Sequence, residues 1–174
     1  MKLAIGISGA SGVELGIKFI NYLPKYVKPF VVISNSANLV QKFERDDIIT
    51  FDNSAIEASI SSGSFRIDAT AIVPCSMNTL AKVACGISDN LVTRVAAVAL
   101  KEQKKLLIAP REMPLSAIAL ENMLKLSNLG VIISPAILGY YSDIKTLEDM
   151  EKFIIGKWYD SLGIEHSLFK RWGE

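Results

Sequence analysis

A chain of 174 residues and 19.0 kDa can bury one substantial core and is too short for two domains of ordinary size, so residues 1–174 read as a single domain. Nineteen Lys and Arg against eighteen Asp and Glu leave a net charge of +1, which excludes a broad electrostatic drive toward nucleic acid or acidic membranes. The two cysteines, Cys75 and Cys85, are too few for a disulfide framework, and no Cys/His cluster calls for a metal, so none is expected.

The first predicted strand, residues 2–8, runs directly into a glycine loop, without the apolar region and cleavage site of an export signal. No later stretch reaches the roughly 18 apolar residues of a membrane span, and a cytoplasmic protein is expected. Further β-branched or Leu-rich runs follow at 29–34, 69–74, 105–109 and 130–134, each ending at Ser, Pro or Gly. Such runs suit strands buried on both faces. Between them, apolar residues return every three or four positions, which predicts helices over 13–23, 36–45, 89–103, 116–127 and 147–161. Ser88, Ser116 and Thr146 are candidate N-caps, and Asp149 completes a capping box with Thr146. The alternation predicts an α/β fold: a doubly wound, Rossmann-like (flavodoxin-like) parallel sheet with helices on both faces. Residues 46–66 are the least regular, with the small-residue loop Ser61-Ser62-Gly63-Ser64. A positive mean hydropathy of +0.31 suggests apolar surface covered by other subunits, hence a homo-oligomer.

In such a sheet ligands bind beyond the carboxyl ends of the strands. After the first strand comes Gly9-Ala10-Ser11-Gly12 and then a helix, a seat for an anion at a helix N-terminus. Serines at 8 and 11, where the dinucleotide fingerprint has glycine, add hydroxyl donors for a terminal phosphate, and with Ser34 in place of an acidic residue they argue for a mononucleotide over NAD. A tight turn without ligand is the plain alternative. Pro74-Cys75-Ser76-Met77-Asn78-Thr79 offers polar groups at a strand mouth or, as readily, a helix cap, and Cys75 reads as a packing residue. Arg94 and Lys101, two turns apart, suit a phosphorylated ligand or an ordinary solvated helix face. Arg111, between Pro110 and Pro114, is well placed for a bidentate phosphate contact, with Glu112 beside it for proton exchange.

Together these segments resemble the UbiX-type flavin prenyltransferases, a branch of the homo-oligomeric flavin-containing Cys decarboxylase fold group. The likeness runs through Gly9–Gly12, Pro74-Cys75-Ser76, Asp89-Asn90-Leu91 to Arg94, Ala99-Leu100-Lys101-Glu102, Pro110-Arg111-Glu112, the segment from Glu121 to Gly130, and Arg171-Trp172-Gly173-Glu174 at the end. The resemblance implies transfer of a dimethylallyl group from dimethylallyl monophosphate to N5 and C6 of reduced FMN without a metal. It also implies a dodecamer with sites at subunit junctions, and delivery of prenylated FMN to a UbiD-type decarboxylase. Carried over by position, it implies an FMN site of Gly9, Ala10, Ser11, Ser34, Ser76, Met77, Asn78, Thr79, Arg94 and Arg111. Lys101, Glu112, Tyr141, Lys157 and Arg111 would meet the donor, with Glu44 beside the reacting flavin edge. Lys157 stands where relatives often have Arg, so a bidentate clamp becomes a point charge. Ser61–Ser64 would match the small-residue loop over the substrate. An FMN-dependent decarboxylase of the same fold and a non-catalytic FMN carrier are the rival readings. Such decarboxylases generally use a histidine near the flavin, and this chain has none before His166.

Overall fold

Every position of the strand Ala69–Cys75 is buried, as a strand must be when helices cover both faces of its sheet. The computed structural model, which describes residues 1–9, 12–34, 43–140, 144–171 and 173, sets that strand in the middle of a six-stranded sheet. In chain order the elements are β1 (Lys2–Ile7), α1 (Val13–Asn21), β2 (Lys28–Ile33), β3 (Ile49–Asp52), β4 (Ala69–Cys75), α2 (Met77–Ala84), α3 (Leu91–Lys101), β5 (Lys105–Pro110), α4 (Ala117–Asn128), β6 (Ile132–Ile133) and α5 (Leu147–Leu162). Short 3-10 turns lie at Ser59–Ser61 and Gly63–Phe65. All strand pairs are parallel, in the order β3-β2-β1-β4-β5-β6. This is the Rossmann order, and without the short edge strand β3 it reduces to the flavodoxin order.

Alternation along the strands divides the core in two. Leu3, Ile5 and Ile7 of β1 pack with α1 and α5, while Ala4 faces the layer built from α2, α3 and α4. Two aromatic residues of α5 bury their rings and satisfy their polar tips on backbone carbonyls: Trp158 Nε1 donates to Ser134 O at 2.9 Å, and the Tyr159 hydroxyl donates to Phe19 O. No helix among the described residues is long and apolar enough to cross a membrane.

The five strands and four of the five helices predicted from sequence are present within a few residues of their expected bounds. Ser116 and Thr146 cap α4 and α5, the latter with the Asp149 capping box. At α3 the cap is Asn90, two residues later than Ser88, because Asn90 Oδ1 accepts the Thr93 amide while the Thr93 hydroxyl accepts the Asn90 amide. The helix expected over 36–45 lies mostly outside the described residues, and Phe43, Glu44 and Arg45 are not helical. β3 and α2 are additions. β3 is a four-residue edge strand whose alternate residues, Thr50 and Asp52, are exposed, so it lacks the continuous apolar run of a covered strand.

α1 approaches β4 closely enough that only glycine fits at position 16. A Cβ there would stand 2.4 Å from Val73 O and 3.1 Å from Pro74 Cδ. The contact seats α1 against the sheet and so sets where its N-terminus opens. Gly16→Val is therefore expected to cost about 3 kcal/mol or more, above the usual range for overpacking because backbone is the obstacle. Urea unfolding monitored by far-UV circular dichroism measures it, and a variant within 0.5 kcal/mol of wild type (about the noise of a surface substitution) would show that the helix slides without penalty.

Candidate functional site

The parallel strands end along one edge, and the direction of winding reverses between β1 and β4. Hydrogen bonds between side chains and backbone join the strand ends there. Ser8, 2% exposed, donates its amide to Pro74 O at 3.2 Å and accepts the Ser76 amide on its hydroxyl at 2.9 Å. On the other side the Ser34 amide donates to Ile7 O at 2.9 Å, and the Gly9 amide donates to Ser34 Oγ at 2.9 Å. The Arg111 amide donates to Cys75 O at 3.1 Å, joining β5 to β4. Thus the Ser8 hydroxyl and the Gly9 amide, which the sequence offers as phosphate donors, already have protein partners.

Gly12 caps α1 with φ of +95°, a left-handed conformation that glycine adopts without strain. A Cβ at Gly12 would lie 3.5 Å from Arg111 Cδ, so the Arg111 side chain crosses the N-terminus of α1. This brings the glycine loop and the arginine after β5 together, as expected. Ala10 and Ser11 lie outside the described residues.

Beside this loop is an open cleft of about 310 Å³, lined by Ser8, Gly9, Ser34, Asn53, Asn78, Thr79, Lys82 and Asn90. The volume is at the lower end for small-molecule sites. Ser76 is both the mouth of β4 and the N-cap of α2, its hydroxyl accepting the Thr79 amide at 3.3 Å, so the two readings of that segment are compatible. Asn78 and Thr79 then lie on the first turn of α2, facing the cleft. Asn53 follows β3 and holds the start of α3: its carbonyl accepts the Leu91 amide at 2.8 Å and its Oδ1 the Val92 amide at 3.0 Å. Asn53, Lys82 and Asn90 were not picked out as ligand-facing from sequence. For Asn53 the only signal is its place at the end of an edge strand that is itself hard to read. The cleft fits a phosphorylated mononucleotide: its lining is largely polar and uncharged, it adjoins three helix N-termini, and Lys82 brings positive charge to it.

The other expected residues divide. Glu112 is exposed beside Arg111, its carboxylate accepting the Met113 amide at 3.0 Å. Arg94 is in the first turn of α3 and donates from Nε to Ser61 O at 3.3 Å, linking that helix to the small-residue loop. Lys101 is the last residue of α3, about 16 Å along the helix from its start, and pairs with Glu102 at the opposite edge of the sheet. Glu44 lies at that same edge: its amide donates to Asn21 Oδ1 at 3.2 Å at the end of α1, and Arg45 binds the carbonyls of Leu23 and Val27. Lys157 is exposed on α5, across the sheet from α2 and α3. Tyr141 lies outside the described residues. Among the described residues no three His, Cys, Asp or Glu side chains gather as a metal site.

Comparison with known proteins agrees with this architecture. Residues 1–158 match the Flavoprotein family. The chain is 50% identical to the flavin prenyltransferase UbiX of Helicobacter pylori strain 26695, with 99% of each chain covered. Among solved structures it is similar to a dodecameric FMN-dependent UbiX-like decarboxylase from Escherichia coli O157:H7, with a TM-score of 0.92, 38% identity and 100% of both chains covered. It is also similar to AnUbiX (PadA1) in complex with FMN and dimethylallyl pyrophosphate, with a TM-score of 0.91, 34% identity, and 99% of this chain and 97% of the other covered.

Cys75 sits under this site with no exposed surface, and burial pushes its thiol up to about 12. At neutral pH it is a packing group and not a thiolate nucleophile. Iodoacetamide at pH 8 is accordingly expected to leave Cys75 unmodified in the native protein and to modify it fully after denaturation, as read by peptide mass spectrometry. Rapid native alkylation of Cys75 would overturn this assignment.

Proposed function

Since this chain belongs to the Flavoprotein family and, within it, to the UbiX flavin prenyltransferases, we propose that it joins a dimethylallyl group from dimethylallyl monophosphate to N5 and C6 of reduced FMN. The observation that supports this most directly is Arg111 crossing the glycine-capped N-terminus of α1, next to a polar cleft, in a chain alike to those relatives over its full length. The FMN contacts would be made by Gly9, Ala10, Ser11, Ser34, Ser76, Met77, Asn78, Thr79, Arg94 and Arg111.

When bound, the reduced flavin supplies the nucleophilic positions N5 and C6. The protein's task is to manage charge and protons. Breaking the allylic C–O bond sends an electron pair to the departing phosphate, and Arg111, Lys101 and Lys157 stabilise that charge as a metal does in other prenyl transfers. Glu112 would donate a proton to the phosphate and recover the one N5 loses, Tyr141 would hold the donor, and Glu44 would pass a proton to the prenyl double bond as it opens for ring closure and take back the one C6 loses.

Within one chain Lys101 and Glu44 lie on the edge opposite the cleft, so this mechanism requires subunits that meet edge to edge. The exposed apolar side chains Met113, Ile118, Leu124 and Leu129 on and beside α4 give such contacts a surface. A homo-oligomer follows, with twelve chains as in the Escherichia coli relative. One domain, a cytoplasmic location and delivery of the product to a UbiD-type decarboxylase complete the reading.

Anaerobic incubation of the protein with reduced FMN and dimethylallyl monophosphate, followed by mass spectrometry of the released flavin, tests the activity. A five-carbon unit added to FMN is the expected result; unmodified FMN from a protein that binds it would refute prenyl transfer. Dimethylallyl diphosphate in a parallel reaction measures donor preference. Glu44→Gln is expected to retain FMN while slowing ring completion, on the order of 100-fold as for loss of a general base. Loss of FMN binding instead would make Glu44 a structural residue.

A further inference from the structure

Lys82 has no part in the contacts assigned above, yet it lines the cleft together with Gly9, Asn78 and Thr79. Of the eight lining residues it alone bears a charge. Its position is braced: Lys82 Nζ donates to Asp89 Oδ2 at 2.6 Å, Asp89 Oδ1 accepts from Asn90 Nδ2 at 3.0 Å, and Asn90 Oδ1 accepts the Thr93 amide at 3.0 Å. The chain of bonds runs from α2 through the connecting loop into the cap of α3. Asp89 is held below the usual carboxylate range by its hydrogen bond to Lys82, which keeps it a carboxylate at neutral pH.

An ammonium has three donors, and Asp89 takes one, leaving two. A phosphate monoester bears nearly two negative charges at neutral pH. The cleft in which it would rest has the first turns of α2 and α3 and the loop before α1 along its walls, each presenting the positive end of a helix. Yet the Gly9 amide bonds Ser34, the Thr79 amide bonds Ser76 and the Thr93 amide bonds Asn90. Several of the backbone donors that would meet a dianion at these helix ends are thus occupied by the protein itself. We infer that Lys82 is the cation that neutralises the FMN phosphate, with Asp89 as the positioning residue that holds its ammonium at the cleft wall.

This inference rests on FMN binding and not on prenyl transfer; a wild-type protein that binds FMN but transfers nothing would refute the transferase reading and leave Lys82 unaffected. The discriminating comparison is FMN against riboflavin, which differs only in lacking the phosphate. Fluorescence titrations of the full-length apoprotein at low ionic strength would use Lys82→Met, Lys82→Gln, Lys82→Arg and Asp89→Asn. Lys82→Met and Lys82→Gln are expected to weaken FMN by about tenfold or more and riboflavin by less than about twofold, the loss of one charge-assisted contact. Lys82→Arg should restore most of the FMN affinity, and Asp89→Asn should weaken FMN selectively but less. Added salt should reduce the wild-type preference for FMN over riboflavin more steeply than that of Lys82→Gln. Parallel loss of both ligands, or FMN affinity unchanged in Lys82→Gln, would overturn the assignment and make the Lys82–Asp89 pair a structural clamp between α2 and α3. A wild-type protein that holds riboflavin as tightly as FMN would overturn it as well.

Discussion

At the switch between β1 and β4 the sheet ladder ends just where two helices must open toward the same ligand, and the hydroxyl of Ser8 closes the gap. It accepts the amide of Ser76, the N-cap of α2, while the Ser8 amide bonds the carbonyl of Pro74. Buried bonds of this kind contribute about 1 kcal/mol each when made and cost more when one partner is left unsatisfied. Their larger effect is geometric. They fix the start of α2 relative to the loop before α1, as Gly16 fixes α1 against β4. A glycine at position 8, as in the dinucleotide fingerprint, would lack the side-chain bond. The serine therefore separates this site from a dinucleotide site chiefly by bonding protein, where the sequence alone suggests a contact to phosphate.

The polarity of a βαβ unit then sorts the functional residues. Helices begin at the carboxyl edge of the sheet and end at the amino edge, so helix starts and strand ends collect around the cleft: Gly12, Ser76, Asn78, Thr79, Asn90 and Arg94, with Asn53 and Arg111 after β3 and β5. Helix ends and strand entries collect at the other edge, where Lys101 and Glu44 lie. On the proposed reading, one edge of a chain binds the flavin and the other supplies charge and proton transfer to a neighbour. The exposed apolar residues of α4 suit that division, since apolar side chains on several sides of one helix call for cover that its own chain leaves out.

Much of this was legible in the chain of letters, for a physical reason. Strands covered on both faces must be buried at every position, and Leu3 to Ile7, Ala69 to Cys75 and Leu106 to Ala109, apolar but for Thr70, announce themselves without any knowledge of their neighbours. The caps Ser116 and Thr146 are local chemistry, decided within four residues. The glycine loop and the arginine between prolines are local too. β3 stayed hidden because an edge strand is half exposed, and α2 because eight residues following a strand mouth read equally as a ligand loop.

The sequence by itself determined the class of fold, the anion-seeking loop after the first strand and, through its ordered motifs, the family. Those properties are written in short windows, where hydrophobic period, caps and glycine positions act within one or two turns. The tertiary structure alone decided which donors are already occupied, which distant residues meet and which do not. Ser8 bonds Ser76, Arg111 crosses Gly12, Lys82 reaches the cleft through α2, and Glu44 and Lys101 face away from it. Such relations depend on how parallel strands bring residues far apart in the chain to one edge of the sheet, and no local window contains them.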